Sequence, residues 1–347
     1  MFKKTALFKI VPDKTILSKR AFSKTILAKA ALFILVLLVL FFTPVVLNGR
    51  EEKPAELNVM VLSGPTGLTL LQMIAEEPEL SGVKLNYSVT TKPEQLTARL
   101  VSGEADIAAL PTNLAAVLYN RGIGIRLAAI TNWGVTYIVG RDPSVRSWQG
   151  LKGRELAVTG RGTTPDILLR YFLKAEGLDP EKDLKLQYYA APVELAQLVI
   201  AGKVDLATLP EPWVTEVIKK NPEVSVLLDY QEAWKRAEHK EYSYPQTCLV
   251  VRAELAEKNP ELVRDFLTAA AASSAWVNNH PDEAGQYAEQ YLLISAAAAR
   301  EAIPRCNLEF VPVWEIKEEI DHYLEKLYEF DPGTTGGKLP DGGLYLH

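Results

Sequence analysis

Apolar and polar positions divide the chain into three stretches. Residues 30–47 (AALFILVLLVLFFTPVVL) are eighteen positions without a charge, about 27 Å as a helix against a hydrocarbon core of about 30 Å. This pattern predicts a transmembrane anchor or the apolar part of a signal segment, and the weak site at Leu47-Asn48-Gly49 favours an uncleaved anchor. From Leu57 onward, short apolar runs alternate with helical periodicity, the pattern of α/β structure. After Asp331, seven glycines or prolines precede Leu344, so residues 331–347 read as a loop-like tail.

The middle stretch carries an internal repeat. PEQLTARLVSGEADIAALP (Pro93 to Pro111) aligns without a gap on PVELAQLVIAGKVDLATLP (Pro192 to Pro210), with Gly103, Asp106 and Leu110 recurring as Gly202, Asp205 and Leu209. Each copy predicts a helix opened by proline, closed by a left-handed glycine and followed by a five-residue buried strand (DIAAL, Asp106 to Leu110, and DLATL, Asp205 to Leu209) that proline closes. Upstream of each lies an apolar strand, a Gly/Thr-rich turn and a helix. The first such turn is Ser63-Gly64-Pro65-Thr66-Gly67 and the second is Gly160-Arg161-Gly162-Thr163-Thr164-Pro165. Two βαβ units predict two open parallel sheets, each with a crevice at the carboxyl ends of its strands; if the crevices face one another, a ligand would lie between two lobes. Tyr137–Val139 and Cys248–Val251 read as strands near the crossings between lobes. Further helices are expected from Pro260 to about Asn279, from Pro281, and from about Val313 to Phe330.

Charge separates the ends of the chain. The whole has 38 Lys/Arg and 43 Asp/Glu, but the first fifty residues hold nine basic groups and only Asp13 as an acid. The basic n-region, residues 1–29, therefore stays cytoplasmic by the positive-inside rule, and residues 51 to 347 are sent outward. Within it, Lys14–Lys19 recurs as Lys24–Lys29, a local duplication in a tail without a fold of its own. The remaining 297 residues carry a net charge of −13, which argues against nucleic acid as a partner. Two cysteines, Cys248 and Cys306, exclude a disulfide scaffold and a four-cysteine zinc site. Export permits a bond between them; the alternative is two buried thiols. His239, His280, His322 and His347 share no helical face, so no metal site is expected, and no Walker, G-x-S-x-G or H-E-x-x-H motif occurs.

From about Leu57 to Phe330 the chain resembles the extracytoplasmic substrate-binding proteins of ABC transporters, in the group that includes nitrate, sulfonate, taurine and thiamine-precursor binders. The resemblance rests on the two G-x-x-D-[IL]-A-x-L-P repeats, Glu211-Pro212-Trp213, Ser147 to Gly153 (SWQGLKG), NPELVRDFL and AWVNNHPDEA. It implies an α/β fold of the two-lobed type II periplasmic-binding class, with two open, mostly parallel sheets. Lobe 1 would be 57–140 plus 246–330, and lobe 2 would be 145–242. The implied function is capture of a small organic or oxyanionic nutrient by hinge closure and delivery to an ABC permease, by a monomer without cofactor, periplasmic or tethered to the outer face of the cytoplasmic membrane. The rivals are an enzyme on the same scaffold and a ligand-sensing receptor domain. The Cys-rich iron-binding stretch of the thiamine-pyrimidine synthases is absent, so enzymatic activity is not carried over. No cysteine follows the apolar run closely, so lipid anchoring is not carried over either.

Candidate ligand contacts follow from the strand ends. Ser63, Thr66 and Gly67 form the first-lobe turn. Arg161, Gly162, Thr163 and Thr164 form its counterpart, where backbone N–H groups and a helix N-terminus suit an anion, or where a threonine merely caps the helix. Thr112 and Asn113, and Glu211 and Trp213, follow the repeated strands. Trp213 would stack on a planar ligand or pack between helices. Glu211 would repel an anion, and is expected to bond a ligand amine or hydroxyl or to pair with Arg161 across the cleft. Trp133 and Tyr244 stand near the crossings, with core packing as the alternative for each.

Overall fold

Proline and glycine set the limits of both repeats. In the first, the helix runs Pro93–Ser102 and Gly103 follows at φ 77°. In the second it runs Pro192–Ile200, with Gly202 at φ 69°. A backbone with positive φ carries no steric penalty at glycine, so the chain turns there into the strand. Those strands are Ile107–Pro111 and Leu206–Pro210, one residue later than the sequence reading at each end.

The computed structural model describes residues 53–347, and the basic n-region and the apolar segment 30–47 lie outside the described residues. No helix among the described residues is long and apolar enough to cross a membrane. Along the chain the strands are β1 (Glu56–Leu62), β2 (Lys84–Thr90), β3 (Ile107–Pro111), β4 (Ile125–Trp133), β5 (Thr136–Gly140), β6 (Glu155–Thr159), β7 (Lys185–Tyr189), β8 (Leu206–Pro210), β9 (Ser225–Asp229), β10 (Pro245–Arg252) and β11 (Leu308–Pro312). They form one sheet in the order β11-β4-β10-β3-β1-β2 and another in the order β7-β6-β8-β5-β9.

Both sheets are mixed, which corrects the expectation of mostly parallel ones. β1 is parallel to β2 and β3, and β6 to β7 and β8. β10 is antiparallel to β3 and β4, and β5 to β8 and β9. The cause is the crossing. A strand arriving from the other lobe enters at the crevice edge, where the parallel strands finish, and so must run the opposite way. β5 belongs to the second sheet, so the chain changes sheets at Gly134-Val135, earlier than the lobe boundary expected at residue 140.

The repeat extends into tertiary contacts. Asp106 pairs with Arg252 at 3.4 Å, and Arg252 donates to Gly103 O at 2.5 Å. In the second lobe Asp205 pairs with Arg141, which donates to Gly202 O at 3.4 Å. In each lobe an arginine at the end of the crossing strand thus ties down the repeat's glycine turn and aspartate. One apolar cluster joins the lobes, running from Leu168 and Trp234 to Tyr244 and Tyr323. The tail differs from the loop expected. It forms short 3-10 turns at Pro332–Thr335 and Gly342–Leu344, and the Leu346 amide bonds Leu127 O at 2.9 Å. Burial of Leu344 and Tyr345 supplies the reason.

Cys248 and Cys306 are free and buried, so the option of a bond between them is not realised. Burial pushes the Cys248 thiol up to about 12 and raises Cys306 as well, which removes the reactive thiolate. The native protein should therefore resist iodoacetamide and take up two equivalents after denaturation without reductant. Uptake of two equivalents only after reduction would mean a disulfide.

Candidate functional site

The carboxyl ends of β3 and β6 bring two expected residues from different lobes into contact. Thr112 and Asn113 open the helix Thr112–Asn120 after β3, and Thr164 opens the helix Thr164–Ala175 after β6. Thr164 Oγ1 donates to Asn113 Oδ1 at 3.4 Å, while Asn113 Nδ2 reaches Thr334 O at 3.5 Å. Tyr323, from the helix Val313–Phe330, lies at the same junction. Its hydroxyl pKa is raised by burial, with the Thr164 side chain acting against that rise.

Several polar groups here are buried without strong partners. Thr159 Oγ1 has no hydrogen-bond partner among the described residues, and Thr112 Oγ1, Thr136 Oγ1 and Tyr323 OH are only weakly engaged, by Cys248, Tyr244 and Thr164 in turn. A buried unpaired hydroxyl costs about 1–3 kcal/mol, so a set of weakly bonded or unpaired ones from both lobes at one junction suits a ligand that supplies better bonds. These groups are uncharged. No cluster of His, Cys, Asp or Glu among the described residues could hold a metal ion.

The turns themselves are largely spent on the protein. The Ser63 hydroxyl donates to Leu292 O and its amide to Thr90 O at 2.8 Å. Thr66 is buried in the short helix Pro65–Leu68. At Gly67 a Cβ would stand 2.8 Å from Leu292 Cδ2 and 2.9 Å from Leu62 O, so close packing requires the glycine. In the second-lobe turn, Thr163 Oγ1 bonds back to Gly160 O at 2.6 Å without capping the helix. The Gly162 amide donates to Asp166 Oδ2 at 2.8 Å, so a carboxylate of the chain already holds the amide expected to bind an anion. Arg161 is exposed and lies over the Tyr188 ring, 5.2 Å from its centroid.

Glu211 is fully buried, and its partner is Arg305 of the other lobe, not Arg161. Arg305 Nε donates to Glu211 Oε1 and Arg305 Nη2 to Thr215 Oγ1, both at 2.6 Å, while the Thr215 amide donates to Glu211 Oε2 at 3.0 Å. Burial raises the carboxyl pKa, and Arg305 and Thr215 act against that rise. These contacts commit Glu211 to an inter-lobe ion pair. Trp213 is half-buried against the second-lobe cluster of Leu195, Leu209 and Val217. Trp133 stacks on Tyr242, with ring centroids 5.3 Å apart. Tyr244 is fully buried, stacks on Tyr323 at 6.2 Å and donates to Gln231 Oε1 at 3.3 Å.

Tyr323 and Arg305 were not among the residues singled out by sequence. Tyr323 sits at an apolar position of a long amphipathic helix, where a tyrosine reads as core. Arg305 follows a proline in an irregular stretch, and only the fold brings it to Glu211.

The sequence model of the NMT1-like family matches residues 71–292. The nitrate/nitrite binding protein NrtA of Synechococcus elongatus is 28% identical over 200 residues, 56% of this chain and 42% of that protein. The chain thus spans less than half the length of that curated relative. A crystal structure of an ABC transporter from Parabacteroides distasonis has a TM-score of 0.75 and 29% identity, covering 85% of this chain and 99% of the other. The periplasmic aliphatic sulphonate binding protein SsuA from Escherichia coli has a TM-score of 0.64 and 16% identity, over 80% of this chain and 87% of that one. The two-lobed α/β fold described above is that of the type II periplasmic binding proteins.

Proposed function

The chain belongs to the NMT1-like family, and we propose that it is the extracytoplasmic solute-binding component of an ABC importer. In this reading it traps a small organic or oxyanionic nutrient between its lobes as a monomer, is tethered by residues 30–47, and hands the ligand to a permease. The observation that carries the reading is the meeting of Asn113 and Thr164 from two lobes, amid buried hydroxyls that are weakly bonded or unpaired. A ligand that bonds both sides favours the closed form, because its contacts exist only there.

The nitrate/nitrite relative supports the oxyanion class. The uncharged junction favours neutral hydroxyl donors over a cationic side chain as the means of recognition. A thiamine precursor stays within the class through the sequence resemblance alone.

Thermal unfolding of the full chain against a library of nitrate, bicarbonate, sulfonates and small heterocycles tests this. One compound at a hundredfold its Kd should stabilise the protein by about 2.7 kcal/mol and be recovered unchanged. Recovery of an altered compound would make the protein an enzyme. Asn113→Ala, Thr164→Val and Tyr323→Phe should each weaken that compound by about two- to tenfold, the worth of one neutral hydrogen bond. Parental affinity in all three would place the site elsewhere.

A further inference from the structure

We propose that a cavity on the far side of the lobe junction is a second binding site, for a small organic ammonium ion that carries an acceptor oxygen. The sheet orders separate it from the crevice. β1 and β3 lie on one side of β10, and β4 and β11 on the other; in the second lobe β6 and β8 lie on one side of β5, and β9 on the other. Thr112 and Thr164 belong to the first side. The cavity, about 490 Å³, is lined from the end of β4, the start of β11 and the end of β9, so both lobes form its walls.

Its charge points to a cation. Asp229, Glu232, Glu241 and Glu309 line it against the single base Lys235. Asp229 Oδ1 accepts from the Gln231 and Glu232 amides, and Glu232 pairs with Lys235. Glu241 and Glu309 are exposed, and neither takes part in an ion pair among the described residues. A wall of this sign repels nitrate or a sulfonate and attracts an ammonium group.

Two further features narrow the class. Tyr242, 48% exposed, lines the cavity with its ring backed by the stacked Trp133 ring at 5.3 Å, and an aromatic face attracts alkylammonium ions through the ring quadrupole. Trp133 is 3% exposed and lines the cavity, and Trp133 Nε1 is a donor without a partner among the described residues. A hydroxyl or carbonyl oxygen on the ligand would satisfy it. The combination of carboxylates, a ring face and an unpaired N–H fits an amino alcohol.

Choline is the probe, and 3,3-dimethylbutan-1-ol is the control of the same shape without the charge. Calorimetry on the full chain at low salt should show saturable choline binding and none of the neutral alcohol. Glu241→Gln combined with Glu309→Gln should weaken choline by about tenfold or more without changing the melting temperature, and Thr164→Val should leave choline binding intact. Three outcomes would overturn the proposal: no choline binding, equal binding of the neutral alcohol, or choline binding lost in Thr164→Val but kept in the carboxylate double variant. The last would put the cation in the crevice. The result is independent of which solute the crevice takes.

Discussion

Arg305→Ala should destabilise the protein by about 3 kcal/mol, because it strands a buried carboxylate. Glu211 is 0% exposed and the Arg305 side chain 39% exposed, so the acid depends on the pair far more than the base does. The reverse change, Glu211→Gln, keeps an acceptor for the Thr215 amide and leaves Arg305 to water. Its cost should be about 1 kcal/mol, a single net hydrogen bond. The pH dependence follows from the direction of the shift. The folded-state pKa of Glu211 is raised above its ordinary 4.5, mainly by burial, and loss of Arg305 raises it further. Such a group favours the folded state below the unfolded pKa, and that contribution is lost as pH rises through the folded value. The deficit of Arg305→Ala should therefore be largest near neutrality and shrink on acidification toward pH 4.5. Urea unfolding of both variants across that range measures it. Equal deficits in Arg305→Ala and Glu211→Gln would deny the asymmetry.

Trp234→Ala should cost about 3–5 kcal/mol, the usual loss for a buried tryptophan. The side chain stands on the second-lobe helix Tyr230–Glu238, 2% exposed. Its ring lies 6.0 Å from Tyr171 in its own lobe, 6.0 Å from Tyr244 at the second crossing, and 5.7 Å from Tyr323 in the first lobe. Removing it empties the centre of the cluster that joins the lobes, so the change should also separate them. Small-angle scattering should show a larger radius of gyration than for the parent, with secondary structure retained by circular dichroism. Trp234→Phe, which keeps part of the ring contacts, should fall between. A stable Trp234→Ala variant with unchanged dimensions would show that the lobes are held together by other contacts, chiefly the Glu211–Arg305 pair.

The candidate site was legible where local chain geometry determines it. Thr112, Asn113 and Thr164 follow strand ends whose place can be read from the repeat, and the fold brings them together. Ser63, Gly67 and Gly162 stand in the expected turns, but other parts of the chain engage them: Leu292 O accepts from the Ser63 hydroxyl, the Leu292 side chain packs against Gly67, and Asp166 accepts from the Gly162 amide. Glu211 could be recognised as awkward for an anion, but its partner lies 94 residues further on.

By itself, the sequence determined the repeated helix and strand, their proline and glycine limits, and the existence of two α/β halves. Those features depend on backbone preferences and apolar burial within about twenty residues, and the same residue types recur at an offset of 99. Tertiary structure alone decided that β5 and β10 run against their neighbours, that Arg305 rather than Arg161 meets Glu211, and that Trp133 and Tyr244 turn into the junction between lobes. Each of these depends on where the chain crosses between lobes and which distant side chain shares a buried space. Pairing of that kind is set by long-range geometry, and no local preference encodes it.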